Sequence, residues 1–434
     1  MKESRADHTR DTKQRRTEAG MEKKNRQAVL RIGSGGAIRG VLGTDLDRQD
    51  LVTLGNVLSA EGTVGLGSSG STAAKMLARA AAAGVACGGG GTLAHPLDCP
   101  VQGAWVARRE QLPVSLFVEE VGKTIFLHLF DQQGLPLERD RARNLEQTLV
   151  GYELRRVPGH LVGAIRRLEA EEESWAEDVV RQAALHRPAL RRVTAAVEGD
   201  APESRALRAA LAALGCRVEE HWRPGIPGFW ADHGGFFLGA RDEKGVLLDS
   251  GQLLTLVALI EMENGSGTIA VLPQASAAVD LVAMGYGGTV LRLDRDGERA
   301  RKRYAAQPWV REAPSAAVRI CARMGVAGQK LETLISKTPR FNAWKREVPL
   351  ESDRDRVLEA LAREQGCPPR GEGLRLHTGG GWVYLAPRKD RPALRVMAEG
   401  PDLELAAELC DLYAGRAAAL DRAIAGRTER GKDP

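Results

Sequence analysis

Gly65-Leu66-Gly67-Ser68-Ser69-Gly70 has the spacing G-x-G-x-x-G, and it falls between a segment that reads as a strand and one that reads as a helix. At such a junction glycines permit a tight turn, and the free N–H groups of the helix start attract a phosphate. The chemistry on offer is dinucleotide binding by an oxidoreductase. That chemistry also needs a carboxylate about twenty residues on to hold the ribose. Here the next strand runs into Cys87-Gly88-Gly89-Gly90-Gly91, and no acid occurs between the loop and Asp98. The favoured reading is a Gly-rich turn with Ser71 or Thr72 capping the helix. Other familiar chemistries lack their ligands. The six cysteines, Cys87, Cys99, Cys216, Cys321, Cys367 and Cys410, form no CxxC pair. No GxxxxGK[ST], HExxH or zinc-spaced Cys/His set occurs either. Each cysteine reads as a small core residue or an idle thiol in a reducing cytosol.

Charge and composition narrow the class further. The 434 residues are 43% hydrophobic, enough to bury several cores, so wholesale disorder is excluded. The net charge of +5 is concentrated in residues 1–28, which hold nine Lys/Arg against five acids and read as a disordered basic tail. Met21 offers a second start that would remove much of it. Aromatics are 4% of the chain and do not interleave with basic clusters, so base-stacking platforms and nucleic-acid binding are not expected. The most apolar stretch, Leu253–Ile260, is far shorter than the roughly 20 residues that span a bilayer, and no secretory signal is legible. The expectation is a cytoplasmic protein without a membrane partner.

The elements that must position any site alternate between short apolar runs and Ala/Leu/Arg-rich stretches. The first unit reads as strand Thr63–Gly67, helix Ser71–Ala83, strand Gly84–Cys87, and strands Pro113–Val118 and Thr124–Phe130 with a turn at Asp131–Gly134. A helical stretch follows at Leu161–Leu185, with Glu171–Glu173 as a solvated face. Then come strand Leu190–Val197, helix Ser204–Leu214 closed by Gly215, and strand Cys216–Glu220. Phe229–Arg241 reads as strand-loop-strand, and Leu253–Met262 as an apolar helix ended by Asn264-Gly265. The third unit reads as strand Thr268–Leu272, helix Ala275–Met284, strand Gly288–Leu293 and helix Ala316–Met324, followed by a polar hinge at Thr338–Pro349. The last part reads as helix Asp353–Gln365, strands Leu374–His377, Trp382–Ala386 and Leu394–Ala398, and helix Asp402–Ala425, an α+β pattern.

Several passages, in order, carry a resemblance. Ser34-Gly35-Gly36-Ala37-Ile38-Arg39-Gly40 resembles the opening GIRG signature of the alpha-D-phosphohexomutases. Thr124–Leu137 is similar to the strand and turn after that family's phosphoserine loop, and Asp242–Leu254 to the stretch after its magnesium loop. Pro339–Pro349 resembles its third-to-fourth-domain hinge, and Gly381–Glu399 its C-terminal phosphate-binding domain. The resemblance is collinear over residues 29–425. It is closest to the phosphomannomutase-like half often fused behind a mannose-1-phosphate guanylyltransferase, and no transferase precedes it in this sequence. It implies an α/β protein of three tandem α/β domains with mixed sheets plus a C-terminal α+β TBP-like domain, around a central cleft. The expected divisions are 29–150, 151–265, 266–349 and 350–434.

The resemblance also implies where a mutase would keep its machinery. Such an enzyme passes a phosphoryl group from a phosphoserine to a hexose phosphate and back, which needs an in-line nucleophile and a cation. The matching loop, Phe117–Lys123, has no Ser, Thr or His; Glu119 or Glu120 stands at the serine position, and the favoured reading is a solvated acidic turn. Glu120 and Arg39 are the candidate catalytic residues. Of the three magnesium aspartates the match retains Asp232, with Gly234 and Phe236 in the other two places, so Mg2+ is implied by family resemblance alone and Asp232 is vestigial. His233 reads as an exposed turn histidine. Glu312 is the sole candidate for the sugar-binding loop. The fourth-domain phosphate loop is Ala386–Pro392, with Arg388, Lys389 and Arg391 able to hold a phosphate.

The expected function is therefore that of a phosphohexomutase-like protein of carbohydrate metabolism, phosphomannomutase or phosphoglucomutase in type. The favoured form is a degenerate, non-catalytic paralogue that binds a phosphosugar or sugar nucleotide and partners a sugar nucleotidyltransferase or an intact mutase. The alternatives are an active intramolecular phosphotransferase (an isomerase) with a non-serine nucleophile and, more distantly, the dinucleotide-binding oxidoreductase.

Overall fold

Val114, Leu116 and Val118 alternate with Ser115, Phe117 and Glu119, and Ile125, Leu127 and Leu129 alternate with Phe126, His128 and Phe130. A period of two gives strands with two unlike faces. The computed structural model, which describes residues 30–33, 36–169, 172–183, 193–367, 373–378, 380–388 and 391–430, pairs these segments antiparallel, Val114 opposite Asp131 through Val121 opposite Thr124. The expected tail over 1–28, and Ser34, Gly35, Glu171, Lys389 and Asp390, lie outside the described residues. The chain divides into two units between Trp175 and Ala176.

The first unit runs β1 (Ala37–Val41), α1 (Arg48–Leu58), β2 (Thr63–Ser68), α2 (Thr72–Cys87), β3 (Gly91–Ala94), α3 (Pro100–Arg109), β4 (Val114–Val121), β5 (Thr124–Asp131), α4 (Arg139–Leu149) and β6 (Ile165–Arg167). Its mixed sheet has the order β1-β5-β4-β2-β3-β6, parallel from β4 to β6. Val114, Leu116, Val118 and their β5 neighbours Ile125, Leu127 and Leu129 form one core with Leu51 and Leu54 of α1 and Leu77, Ala81 and Val85 of α2. α3 packs on the opposite face, where Gly103 leaves room for the Phe117 ring.

The expected strand at Gly84–Cys87 is instead the last turn of α2. Ala81 and Val85 lie one turn apart and are both buried, so the apolar stripe continues past Ala83. Gly84 sits where a Cβ would lie 2.1 Å from the Val52 carbonyl oxygen of α1, so the crossing with α1 depends on its small size. The true strand is β3, reached after Gly88-Gly89-Gly90. The expected helix at Leu161–Leu185 is likewise divided: Ile165–Arg167 pairs parallel with β3, and α5 (Glu172–Gln182) begins only afterwards. The loop before β6, which follows α4, is anchored by Asn56, buried in α1. Its Nδ2 donates to the Gly84 and Arg155 carbonyls, each at 3.0 Å, and its Oδ1 accepts from the Tyr152 hydroxyl and the Arg155 amide. All four of its hydrogen-bonding capacities are used.

The second unit contains β7 (Thr194–Val197), α6 (Pro202–Leu214), β8 (Arg217–Glu219), β9 (Gly228–Ala231), β10 (Leu238–Arg241), β11 (Leu247–Leu248) and α7 (Ser250–Glu263). These are followed by β12 (Thr268–Val271), α8 (Ala277–Gly285), β13 (Thr289–Arg292), α9 (Gly297–Ala305), α10 (Ala313–Ala327) and α11 (Leu331–Ile335). A five-stranded mixed sheet has the order β11-β10-β9-β7-β8, and β12 and β13 pair parallel. α9, within the stretch that the sequence left unassigned, is strongly charged and buries Ala300 and Tyr304.

The chain ends with β14 (Asn342–Pro349), α12 (Arg354–Glu364), β15 (Leu374–Thr378), β16 (Gly381–Pro387), β17 (Ala393–Gly400) and α13 (Leu403–Arg430). The four strands form an antiparallel sheet, β14-β17-β16-β15, whose buried Val383, Leu385, Leu394 and Val396 pack with Val357 and Leu361 of α12 and Cys410 and Ala417 of α13. The expected polar hinge at Thr338–Pro349 is largely β14, paired with β17 from Asn342 opposite Gly400 to Pro349 opposite Ala393. Its side chains are nearly all exposed, as an edge strand allows, and that polarity concealed it. The C-terminal sheet thus begins at Asn342, ahead of the expected boundary at 350. The architecture is mixed α/β with several mixed sheets and a C-terminal α+β sheet-and-helix layer.

Candidate functional site

The chain leaves β2 for α2 on one face of the first sheet and returns through α3 on the other. The carboxyl ends of β2 and β4 therefore mark the switch in strand order where α/β sheets place ligands. Ser69 bridges them: its amide donates to the Val118 carbonyl at 2.9 Å, and its Oγ accepts from the Glu120 amide at 3.3 Å. The glycines before it serve packing rather than a phosphate cradle. Gly65 and Gly67 lie within β2, and a Cβ on Gly67 would fall 2.3 Å from the His95 ring and 2.6 Å from Phe117. Ser71 caps α2, its Oγ accepting from the Ala74 amide at 3.1 Å, which is the capped turn the sequence favoured.

Glu119 and Glu120 do not form the acidic turn expected of them. Both residues lie on β4, which continues to a two-residue turn at Gly122-Lys123, with Gly122 at φ 62°. Glu119 is 5% exposed, and its Oε2 lies 2.9 Å from His128 Nε2 on β5. His128 in turn stacks between Phe126 and Phe130 along its own strand. Glu120 is half-buried. Arg39 is exposed on β1, opposite Phe126, which is itself opposite Glu119, so the three lie in one row across the sheet. His95, where the chain leaves β3, stacks on Phe117 at 6.0 Å. Burial pushes its imidazole down to about 4, with a smaller opposing contribution from the Leu97 backbone, so it is neutral at pH 7. Sequence reasoning missed His95 and His128; the signal for His128 was a lone imidazole on the aromatic face of an alternating strand.

In the second unit Asp232 organises a turn. Its Oδ1 accepts from the amides of Phe236 at 2.8 Å and Phe237 at 2.7 Å, and its own amide donates to the Phe237 carbonyl at 3.0 Å. An oxygen already holding two N–H groups, beside Gly234 and two phenylalanines, is a poor start for Mg2+, which needs several hard oxygens. Among the described residues no group of three His, Cys, Asp or Glu side chains is placed to hold a metal ion. The donor set does not suit the magnesium implied by resemblance. His233 is exposed, with Nδ1 3.6 Å from Glu203. Glu312, the residue proposed for the sugar loop, is buried in front of α10, 3.3 Å from Ser315 Oγ and 3.7 Å from Arg311.

The proposed phosphate loop joins β16 to β17. Arg391 grips Glu347 of β14 through both carboxylate oxygens, at 2.6 and 2.8 Å, and Arg388 Nε lies 3.9 Å from the same carboxylate. Arg388 is half-buried, and its carbonyl accepts from Arg354. Lys389 is outside the described residues. Two of the three cations are thus brought together, around a carboxylate that partly neutralises them.

A second polar cluster was not foreseen. Arg375 of β15 lies 3.8 Å from the Trp382 ring centroid and donates to the Pro273 and Ala275 carbonyls; Arg292 of β13 donates to the same Ala275 oxygen at 3.2 Å and pairs with Asp280. Glu399 accepts from Ser276 Oγ, the Ala277 amide and Trp382 Nε1. Burial, together with the neighbouring Arg292 charge, pushes Arg375 down to about 9. These residues fasten the C-terminal sheet to the start of α8. A separate cavity of about 190 Å³ on the five-stranded sheet is lined by Trp222, Trp230, Phe229, Leu247, Glu198 and Arg241, none of them a residue the sequence singled out.

No family model matches the chain. Among curated proteins, phosphopentomutase of Thermococcus kodakarensis is 25% identical over 195 residues, 39% of this chain and 43% of that protein, so the match spans less than half of the relative's length. Solved structures match nearly throughout. A phosphoglucomutase/phosphomannomutase family protein from Burkholderia thailandensis aligns with a TM-score of 0.72 at 15% identity, covering 91% of this chain and 98% of that one. Parafusin, a phosphoglucomutase from Paramecium in its open form, gives 0.59 at 10%, covering 90% and 96%. Aspergillus fumigatus N-acetylphosphoglucosamine mutase, solved with GlcNAc-6P and magnesium, gives 0.53 at 10%, covering 92% and 99%. The fold is that of the alpha-D-phosphohexomutases, as the collinear resemblance implied.

Proposed function

We propose that this chain is a phosphohexomutase-type protein of carbohydrate metabolism that binds a phosphosugar or sugar nucleotide without turning it over. The observation that carries the reading is the unbroken β4–β5 ladder, which runs through Glu119 and Glu120 where the resemblance puts the phosphoserine loop. A strand residue whose carboxylate is buried against His128 is poorly placed to attack a phosphorus atom in line. The poor donor set at Asp232 argues the same way independently. Missing either a nucleophile or a charge-neutralising group usually costs at least about three powers of ten in rate.

Support for ligand binding comes from the Arg388–Arg391 loop and from the likeness to a mutase solved with GlcNAc-6P. In this reading Arg388, Lys389 and Arg391 hold the phosphate, and the protein serves a partner such as a sugar nucleotidyltransferase or an intact mutase in the cytoplasm. The test is a coupled assay with mannose and glucose 1-phosphates, the bisphosphate activator and Mg2+, beside calorimetry with the same sugars. Binding without turnover supports the proposal. Turnover abolished by Glu120→Gln but retained in Glu119→Gln would instead establish a carboxylate nucleophile and an active mutase.

A further inference from the structure

We propose that the cavity on the five-stranded sheet is a binding site for a neutral sugar ring. It uses no residue of the Arg388–Arg391 loop and stands whether or not that loop holds a phosphate. The cavity arises from the strand order. β8 and β9 both run parallel to β7, on its two sides, so the chain must cross over between them. Such a crossover usually takes roughly a dozen residues or more and lays a helix over the sheet. Here it is only Glu220–Pro227, with no helix. The row Val197–Phe229–Ala240–Leu248 is buried on one face. The adjacent row, Ala196–Gly228–Arg241–Leu247, faces the other way and is left partly open, with Leu247 65% exposed.

Two indoles stand on that open face, and glycines make room for them. A Cβ on Gly239 would fall 2.3, 2.3 and 2.7 Å from three ring atoms of Trp230, so this indole is laid flat on β10. Trp230 is still 39% exposed, which leaves its other face to the cavity. Trp222 lies over Gly228, where a Cβ would meet its ring at 2.9 Å. Arg241 Cζ stands 4.9 Å from the Trp222 ring centroid, and the guanidinium makes no hydrogen bond or ion pair among the described residues. Glu198 Oε1 accepts from the Trp222 amide at 3.1 Å, and its second oxygen has no partner among them. Glu219, beside Ala196 on β8, is already held by Arg223 through both oxygens at 3.0 Å.

One available cation and one available carboxylate make the site neutral overall. A phosphate drawn to Arg241 would be repelled by Glu198, whereas hydroxyl groups donate and accept, and so serve both. The C–H groups on one face of a pyranose carry partial positive charge, which suits the negative face of the open indole. The volume of about 190 Å³ also fits a single six-membered ring, since about 150 Å³ is enough for benzene. A nucleobase with its ribose needs more.

The test titrates the purified full chain with unphosphorylated D-mannose and D-glucose, followed by tryptophan fluorescence and saturation-transfer difference NMR. At least one hexose should bind saturably with a Kd on the order of 1 mM, and the strongest saturation should fall on C–H protons of one ring face. Trp230→Ala, Arg241→Met and Glu198→Gln should each weaken binding by about tenfold or more. Glu198→Gln keeps an acceptor for the Trp222 amide, so it tests the site even if the other two variants fail to fold. No saturable binding of either hexose would overturn the proposal. So would binding unchanged by Trp230→Ala or by both polar substitutions, or a preference for adenosine, guanosine or inorganic phosphate over the hexoses.

Discussion

The Glu119 carboxylate and the His128 imidazole meet diagonally across β4 and β5, 2.9 Å apart and both nearly excluded from solvent. Removing one member leaves the other buried without its partner, which costs more than the pair itself contributes. Glu119→Ala is expected to lower unfolding free energy by about 1–3 kcal/mol, whereas Glu120→Ala, half-buried near the hairpin end, should change it by about 0.5 kcal/mol or less. Urea denaturation of both variants checks this. Equal effects would mean that the two glutamates are interchangeable surface acids.

Glu347 is paired with Arg391 and lies 3.9 Å from Arg388, so in the proposed binding mode it would compete with a phosphate for both. Glu347→Gln should therefore tighten hexose phosphate binding several-fold, while the Arg388→Ala/Arg391→Ala double variant should weaken it at least roughly a hundredfold, since each charge-assisted contact contributes about 1.5–3 kcal/mol. Isothermal calorimetry reads both. Unchanged affinity in either variant would remove the β16–β17 loop from the binding site.

His95 gives the stability a definite pH dependence. Its folded pKa of about 4 lies below the ordinary 6.5, so between those values the unfolded chain takes up a proton that the folded chain does not. Its contribution to stability is present in full above pH 6.5 and is lost as pH falls towards 4, by about 3 kcal/mol in all. His95→Leu, which cannot titrate, should flatten the unfolding free energy over that window. A wild-type slope that persists in the variant would place the titration elsewhere.

Gly84→Ala sets two effects against each other. Alanine favours the helix by about 1 kcal/mol over glycine. Its Cβ, however, would sit 2.1 Å from the Val52 carbonyl oxygen, and relieving that clash means parting α1 from α2. Overpacking of this kind costs about 1–3 kcal/mol or more, so net destabilisation is expected, measured as a fall in Tm. A higher Tm would show that the crossing is not as close as described.

Residue types alone determined the strands around Thr63, Val114 and Thr124, the capped helix at Ser71, the left-handed stop at Gly215 and the α+β ending. Each rests on period-two or helical patterning, or on a cap, and these are local physics. The collinear motifs carried the fold as well. Local pattern misled where tertiary contact overrode it: the Ala-rich helix ran on through Gly84 because α1 lies against it, and the polar Asn342–Pro349 became a strand because β17 offered it an edge to pair with. The site depended on still longer reach. Nothing local tells Glu119 that His128 faces it, Arg391 that Glu347 lies within its grasp, or Arg375 that Trp382 lies under it. Those pairings set charge, acidity and burial, and they exist only once separate strands and helices have been packed together.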